Sequence, residues 1–195
     1  MFGFELSNIA YYGNVCSMEI RVINDKTYKD YLYGLTSLYI ETFSSGKSFQ
    51  YYNAEETENY IKLIFEVGYG IIALDNSVLV GAILLTPFSF DNLHPKEISQ
   101  QFDIKSSIYV AEMMVEKTKQ GQGIGKKLLR YFFDTVDKRT FTDAFIRVWI
   151  ENEAAVGLYE KMGFAVCAST VQHKLLADKS KIVNFEKIYL HQKLI

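Results

Sequence analysis

The spacing of hydrophobic residues along this chain predicts a mixture of strands and helices. Residues 18–23 alternate between apolar and polar side chains, a pattern typical of a β-strand. Apolar residues then recur at helical spacing through 28–39, so we expect a first helix that ends near the Ser-Ser-Gly turn at 44–46. Asn53 is a good N-cap followed by acidic residues, which predicts a second helix that runs to about Val67.

The middle of the chain predicts a hairpin, a long connection and a further strand. Two β-rich runs, 70–75 and 78–86, are separated by an Asn-Ser pair and favour a β-hairpin. The polar and aromatic segment 88–105 is expected to be a connection, and loops of this length often carry function. The apolar run 108–115 predicts the next strand.

The second half of the chain predicts alternating strands and helices. An amphipathic helix is expected to begin at about Gly123, followed by a strand at 144–150 and a helix at 152–163. Segments 164–170 and 182–190 are expected to complete the β content. Strand, helix and strand in succession imply a parallel pair with its loop at the carboxyl end, where open α/β sheets bind ligands.

Composition favours one folded domain and argues against nucleic acid as a partner. Of 195 residues, 49% are apolar and 15% aromatic, unlike the composition of disordered segments. That length suits a single domain, which we expect at 18–195 after an extension at 1–17 of unassigned role. A net charge of -2 and a pI near 6.0 provide no basic face of the kind that duplex nucleic acid requires.

Cysteine, histidine and hydropathy patterns argue against several other classes. Cys16 and Cys167 form no C-x-x-C motif, so we expect reduced thiols in a cytoplasmic protein. The histidines are scattered, which argues against a metal site. No apolar run has the length of a membrane span, and the first residues, with Glu5 and no Lys or Arg, do not resemble a secretory signal.

A glycine-rich segment at the start of the amphipathic helix predicts a phosphate site. Its residues are Gln120, Gly121, Gln122, Gly123, Ile124, Gly125 and Lys126. The first N–H groups of a helix lack intrahelical partners and its dipole adds positive charge, while glycine lets a bulky pyrophosphate approach the backbone. Lys126, Lys127 and Arg130 add positive charge, although they also fit a solvated helix face.

Two common phosphate motifs do not fit the chain. The dinucleotide fingerprint requires a third glycine where Lys126 stands. Gly46-Lys47-Ser48 imitates the end of a P-loop, but Glu41 occupies the position of that motif's first glycine. The sequence therefore predicts a phosphate-bearing cosubstrate of another kind.

Two blocks of residues together resemble the GNAT superfamily of acyl-CoA N-acyltransferases. One joins Val115 to Gln120-x-x-Gly123-x-Gly125, and the other is Val148-x-x-x-Asn152-x-x-Ala155-x-x-x-Tyr159-x-x-x-Gly163-Phe164. The resemblance implies an α/β fold with a central mixed sheet and helices on both faces. It also implies acetyl-CoA as cosubstrate and no metal.

The resemblance further indicates which residues contact acetyl-CoA. Backbone groups of Met113, Met114 and Val115 are expected to bind pantetheine and the acyl carbonyl, with an N–H near Val115 as the oxyanion donor. The two Met side chains then pack as ordinary core residues. Residues 120–126 are expected to hold the pyrophosphate, and Asn152 both caps its helix and contacts pantetheine.

Glu112 and Tyr159 are the candidate catalytic residues. An alkyl ammonium with a pKa of about 10.4 must lose a proton before it attacks, and Glu112 is a candidate to remove it directly or through water. The alternative for Glu112 is a carboxylate that only attracts the cationic amine. By the resemblance, Tyr159 protonates the departing thiolate, and its alternative is an aromatic packing residue. Some family members have a glutamate base where this chain has Arg147, which instead suits an acceptor with an acidic group.

The leading interpretation of these features is direct acetyl transfer to the primary amine of a small molecule or a peptide. Neither cysteine has a nearby histidine in sequence to support a covalent route. The alternatives are a non-catalytic acyl-CoA sensor and an interaction protein that binds through a tyrosine-rich front half, including Tyr51 and Tyr52. A homodimer is expected from the resemblance and the apolar carboxyl-terminal strand, although a strand covered within the monomer has the same pattern.

Overall fold

Seven strands and five α-helices lie in the described residues, 18–44 and 50–194, of this computed structural model. The strands are β1 (Met18–Ile23), β2 (Tyr69–Asp75), β3 (Val78–Pro87), β4 (Ser107–Val115), β5 (Asp143–Trp149), β6 (Ala165–Leu175) and β7 (Ile182–Lys193). The helices are α1 (Leu32–Ser44), α2 (Ala54–Val67), α3 (Lys96–Gln101), α4 (Ile124–Thr135) and α5 (Glu153–Lys161). The expected extension at 1–17 and the Gly46-Lys47-Ser48 segment lie outside the described residues.

The strands form one open mixed sheet with the order β1-β2-β3-β4-β5-β7-β6. β4 and β5 are parallel, as the sequence predicted, and all the other neighbouring pairs are antiparallel. The edge position belongs to β6, because β7 pairs with β5 on one side and with β6 on the other. The apolar character of β7 is explained by this interior position, so the homodimer has no support from that strand and stays a prediction.

Helices cover both faces of the sheet. Successive side chains of a strand point to opposite faces, and apolar side chains on each face pack against the helices that cover it. On one face, α1 and α2 pack over side chains that include Ile72 and Leu84. On the other face, α4 packs over side chains that include Ile71 and Ile83. The expected mixed sheet with helices on both faces is therefore confirmed.

Asparagine side chains start two helices at the predicted positions. Asn53 accepts two backbone hydrogen bonds at 2.9 and 3.2 Å at the start of α2. Asn152 accepts one from the N–H of Ala155 at 3.3 Å at the start of α5. The first helix begins later than expected, because Tyr28–Tyr31 forms a separate 3₁₀ turn before α1.

The connection at 88–105 contains a helix, α3, that the sequence pattern did not reveal. Six residues make less than two helical turns, which is too short for a clear periodic signal. The connection is held to the sheet by Phe88, which stacks on Phe145 of β5 with ring centroids 4.4 Å apart. Asp91 in the same segment is buried, so the connection brings a carboxylate against the sheet.

β6 and β7 extend beyond their predicted ends at 170 and 190, to Leu175 and Lys193. Along β6 beyond residue 170, Gln172 and Lys174 are half-buried while Val171 and His173 are exposed. The inner face of this extension therefore carries polar side chains. For that reason the spacing of apolar residues did not predict where the strand ends.

Candidate active site

The parallel pair β4 and β5 separates part of the way along the sheet. Pairing extends from Ser107 and Asp143 to Val110 and Ile146, and no further. A register shift in β4, between Val110 and Glu112, occurs at the same level. Beyond it, β4 continues to Val115 paired with β3 alone, which opens a gap between β4 and β5. Strand N–H and C=O groups that face this gap are available to a ligand.

The glycine-rich loop lies at the carboxyl end of β4, and two glutamine side chains hold it there. Gln120 Nε2 donates to the carbonyl oxygen of Val115 at 3.0 Å, and Gln122 Nε2 donates to that of Thr118 at 3.0 Å. The helix α4 begins at Ile124, one residue after the expected start, and the Ile124 side chain is buried in the core. Any ligand contact at Ile124 is therefore made through its backbone.

Glycine is needed at the three positions of the loop for two different structural reasons. Gly121 and Gly123 have φ angles of +76° and +79°, which L side chains rarely adopt, and a Cβ at either would meet no atom within 4 Å. Gly125 is different, since a Cβ there would lie 2.7 Å from Met113 Cε. The open space beside Gly121 and Gly123 fits a bulky anion, and Lys126 and its neighbours on α4 are exposed nearby.

A cavity of about 180 Å³ lies where the gap opens toward α1, and we call it the active-site cavity. The residues lining it include Glu112, Met113, Asn152 and Tyr159, which the sequence analysis singled out. The fold thus brings both candidate catalytic residues to one space. Met114 is not among them, because its side chain is buried beneath α1 and α2.

Glu112 is half-buried and accepts a hydrogen bond at Oε1 from the Tyr60 hydroxyl, 2.9 Å away. Burial raises its pKa from the ordinary range to about 7, while the Tyr60 hydrogen bond and the positive charges of Arg147, Lys187 and Lys174 act in the opposite direction. A carboxyl group with this pKa exchanges protons near neutral pH.

Tyr159 is 5% exposed, and its ring makes an edge contact with Phe164. Burial raises the pKa of its phenol, and the negative charge of Glu112 raises it further. Tyr159 therefore both packs in the core and lines the cavity, and its role as proton donor stays a prediction. The hydroxyl stays protonated at neutral pH and is able to donate a proton.

Arg147 has an internal partner in the connection at 88–105. Its Nη1 donates to Asp91 Oδ2 at 3.0 Å and to the Tyr189 hydroxyl oxygen at 3.0 Å, and Tyr189 donates to the same Asp91 oxygen at 2.8 Å. With its carboxamide oxygen turned toward Arg147, Gln172 also accepts from Nη1 and Nη2 at 3.2 Å. The sequence suggested an acidic acceptor for Arg147, but Asp91 already supplies that carboxylate.

Three further residues of the cavity or its border were not predicted. Tyr60 of α2 bonds Glu112, while Lys174 of β6 and Lys187 of β7 line the cavity. No local motif marks them, because each comes from an element distant in sequence from β4. The residues described, 18–44 and 50–194, contain no group of three or more His, Cys, Asp or Glu arranged to hold a metal.

The sequence model of the Acetyltransferase (GNAT) family matches residues 32–164. This match includes the whole glycine-rich loop, the gap and both candidate catalytic residues. The chain therefore belongs to the acetyltransferase (GNAT) family.

Curated relatives align over shorter stretches. N-alpha-acetyltransferase 30 of Schizosaccharomyces pombe is 26% identical over 96 residues, which are 49% of this chain and 57% of that protein. The ribosomal protein bS18-alanine N-acetyltransferase of Escherichia coli is 38% identical over 50 residues, which are 26% of this chain and 34% of that protein. The chain thus matches between about a third and somewhat more than half of the length of these relatives.

Solved structures resemble the fold over nearly the whole chain. NAA60 of Arabidopsis thaliana, in complex with a bisubstrate analogue, has a TM-score of 0.66 at 18% identity and covers 91% of this chain and 98% of its own. The acetyltransferase yncA of Salmonella typhimurium, with its cofactor acetyl-CoA, has a TM-score of 0.66 at 16% identity and covers 92% and 95%. At these identities the similarity shows the fold alone.

In the part of the chain described here, no helix is long and apolar enough to cross a membrane.

Proposed function

We propose that this protein transfers the acetyl group of acetyl-CoA to a primary amine by direct attack in a ternary complex. The observation that carries the proposal is that Glu112 and Tyr159 line one cavity at the mouth of the β4–β5 gap. Membership of the acetyltransferase (GNAT) family supports the same activity. The amine belongs to a peptide or a small molecule. Because one relative is named an N-alpha-acetyltransferase and another a ribosomal protein-alanine N-acetyltransferase, a peptide α-amine is the first acceptor to test.

Acetyl-CoA binds, in this proposal, along the loop and the gap. The backbone of residues 121–126 holds the pyrophosphate at the amino terminus of α4, where Gly121 and Gly123 leave open space. Pantetheine runs into the gap, where the backbone of Met113 to Val115 and the amide of Asn152 offer hydrogen bonds. An N–H near Val115 stabilises the negative charge that develops on the acyl oxygen.

Glu112 prepares the amine for attack. With a pKa of about 7, a substantial fraction of this carboxyl is ionised at neutral pH and able to take a proton from the bound ammonium. The neutral nitrogen then attacks the acyl carbon, so that a C–N bond forms and the C–S bond breaks. Tyr159 donates its phenolic proton to the departing sulfur, and the thiol of coenzyme A is released. The second proton of the nitrogen restores the Tyr159 phenol as the amide forms, and Glu112 releases its proton to solvent.

Cys167 does not offer a covalent route. It is half-buried and free, and burial raises the pKa of its thiol to about 11, so it stays protonated at neutral pH. We also propose that the protein acts in the reducing cytoplasm. The free thiol of Cys167 and a sequence without a C-x-x-C motif support this location.

Two measurements test the function. Thiol release from acetyl-CoA is followed with a panel of peptide and small-molecule amines, and turnover with at least one amine is expected. A thermal shift assay compares acetyl-CoA, NAD and ATP, and only acetyl-CoA is expected to raise the melting temperature. Stabilisation by ATP at least equal to that by acetyl-CoA rejects the cosubstrate. Binding of acetyl-CoA without turnover of any amine favours the sensor instead.

A further inference from the structure

Two lysines on the β6–β7 pair line the active-site cavity, and we call them the basic wall. They are Lys174 of β6 and Lys187 of β7, and both are half-buried. Lys187 pairs with Trp149 of β5, two residues along from the pair of Arg147 with Tyr189, so these side chains share one face of the sheet. The basic wall therefore faces the same space as Glu112.

The basic wall differs from Arg147 in having no carboxylate partner. Arg147 is neutralised by Asp91, which is 7% exposed and also bonded by Tyr189. Within residues 18–44 and 50–194, neither lysine ammonium is within ion-pair distance of a carboxylate. The Lys187 ammonium lies 5.6 Å from the ring centroid of Phe185, a contact that leaves its N–H donors unused.

Positive charge on the basic wall is unfavourable in the free protein. Burial and the charges of Arg147 and Lys174 lower the pKa of Lys187 to about 8, while the charge of Glu112 acts in the opposite direction. Burial also lowers the pKa of Lys174, against the opposing charge of Glu112. An anion bound at the basic wall offsets this cost and receives charge-assisted hydrogen bonds.

The position of the basic wall relative to Glu112 indicates which molecule carries this anion. Glu112 and the two lysines share a cavity of about 180 Å³, so a group bound by the lysines lies only a few atoms from an amine at Glu112. A molecule that places its amine at Glu112 therefore presents its adjoining atoms to Lys174 and Lys187. The anion and the amine belong to one acceptor.

We infer that the basic wall selects acceptors that carry a carboxylate close to the reactive amine, as in a peptide with Asp or Glu directly after its first residue. This inference rests on the proposed acetyl transfer and names the acceptor class of that same site. A free amino acid, whose own carboxylate adjoins its amine, presents the same chemistry from another source. The peptide is preferred, because one relative is named an N-alpha-acetyltransferase and another is named for a ribosomal protein.

A different role for the lysines makes a different prediction. Their positive charges also lower the pKa of Glu112, so they have a place as counter-charges for the base. In that role, loss of either lysine weakens transfer to every acceptor alike. In the role inferred here, the loss is larger for acceptors with a carboxylate than for their matched amides.

The experiment compares matched acceptors with wild type and with Lys174→Met/Lys187→Met. Peptides beginning Ser-Glu and Ser-Gln, Ala-Glu and Ala-Gln, and Met-Glu and Met-Gln differ only in one side-chain carboxylate, and alanine with alaninamide tests the free amino acid. Wild type is expected to favour the Glu peptides by about tenfold or more in kcat/KM, the size of a charge-assisted contact. The double variant is expected to lose this preference, so that the ratio of kcat/KM between matched Glu and Gln peptides falls to about one, whatever the change in the rate common to both.

Controls separate this inference from folding and from the proposed function. Lys193→Met, an exposed lysine on β7, is expected to keep the wild-type preference, and circular dichroism with acetyl-CoA titration checks the fold of each variant. Equal use of Glu and Gln peptides by wild type, or a preference that survives the double variant, overturns the inference and leaves acetyl transfer intact. If no peptide turns over, calorimetry of the coenzyme A complex with the same pairs decides: tighter binding of Glu peptides supports the basic wall, and equal binding rejects it.

Discussion

The hydroxyl of Tyr60 in α2 donates a hydrogen bond to Glu112 in β4, with 2.9 Å between the oxygens. The two residues are 52 positions apart in sequence, and the bond connects a helix on one face of the sheet with the strand beside the gap. It stabilises the ionised carboxylate and so opposes the effect of burial on the pKa of Glu112. Tyr60 is thereby a positioning residue for the proposed base.

Tyr60→Phe is expected to move the pH dependence of catalysis. Because we propose Glu112 as the ionised base, kcat/KM should rise with pH through about 7 in wild type. Loss of the hydrogen bond raises the pKa of Glu112, so the rise should shift to higher pH by about one unit. The profile is measured with one accepted amine, and Tyr33→Phe, an exposed tyrosine of α1, is the control that should not shift. An unshifted profile in Tyr60→Phe would remove Glu112 as the titrating base.

Glu112→Gln is expected to stabilise the fold in a pH-dependent way. The folded-state pKa of about 7 exceeds the ordinary value of 4.5, so between these values the native state holds a proton that the unfolded state has released. Wild-type stability therefore falls as pH rises through this window. Glutamine does not ionise, and the variant should match wild type near pH 4 and exceed it at pH 8 by about 2 kcal/mol, discounted for partial exposure.

Urea denaturation at pH 4, 6 and 8 measures this difference, provided that the m-values of the two proteins agree. A stability difference that is the same at all three pH values would mean that Glu112 is not perturbed by burial.

Tyr159→Phe is expected to lower kcat by about 10²-fold or more while acetyl-CoA affinity and the fold are kept. Phe retains the edge contact with Phe164, so the change removes only the proton donor. Glu112→Gln should behave differently, because its rate recovers as pH approaches the pKa of the amine and solvent removes the proton. Steady-state pH profiles compare both variants. A fully active Tyr159→Phe enzyme refutes the acid role, and a Glu112→Gln defect that is independent of pH refutes the base role.

Gly123→Val is expected to weaken acetyl-CoA binding by at least about tenfold, since a side chain enters the open space beside the helix terminus. The φ angle of +79° adds a stability cost of about 1–2 kcal/mol. Gly157→Ala in α5 is the control, because that site has open space without a positive φ, and alanine should there add up to about 1 kcal/mol of stability. Calorimetry and circular dichroism measure the two effects. Unchanged affinity in a folded Gly123→Val protein would move the pyrophosphate elsewhere.

Local signals were sufficient for the parts of the site that lie on one continuous stretch. The glycine loop and the Asn152 cap depend on backbone geometry within a few residues, so spacing alone predicts them. The same holds for the parallel pairing of β4 and β5, which follows from the helix between them. The amphipathic stripe that begins at Ile124 was also sufficient to predict which face of α4 enters the core.

Contacts between distant segments were not predictable in this way. Arg147 illustrates the difference, since its residue type and position suggested an acidic acceptor, but its carboxylate comes from Asp91, 56 residues earlier. Lys174 and Lys187 carry no motif and become significant only when the β6–β7 pairing brings them to the cavity of Glu112. The role of a charged residue can be predicted only once the three-dimensional fold shows whether it already has a partner of opposite charge.

The gap between β4 and β5 has a consequence for experiments that replace side chains one at a time. Groups exposed there belong to the main chain of Ala111 to Val115, and every amino acid except proline supplies the same N–H and C=O. An alanine scan of residues 112–115 would therefore underestimate the part that their main-chain groups take in holding a ligand. Amide-to-ester replacement along β4 removes a main-chain N–H donor, and therefore tests the hydrogen bonds that side-chain substitution leaves in place.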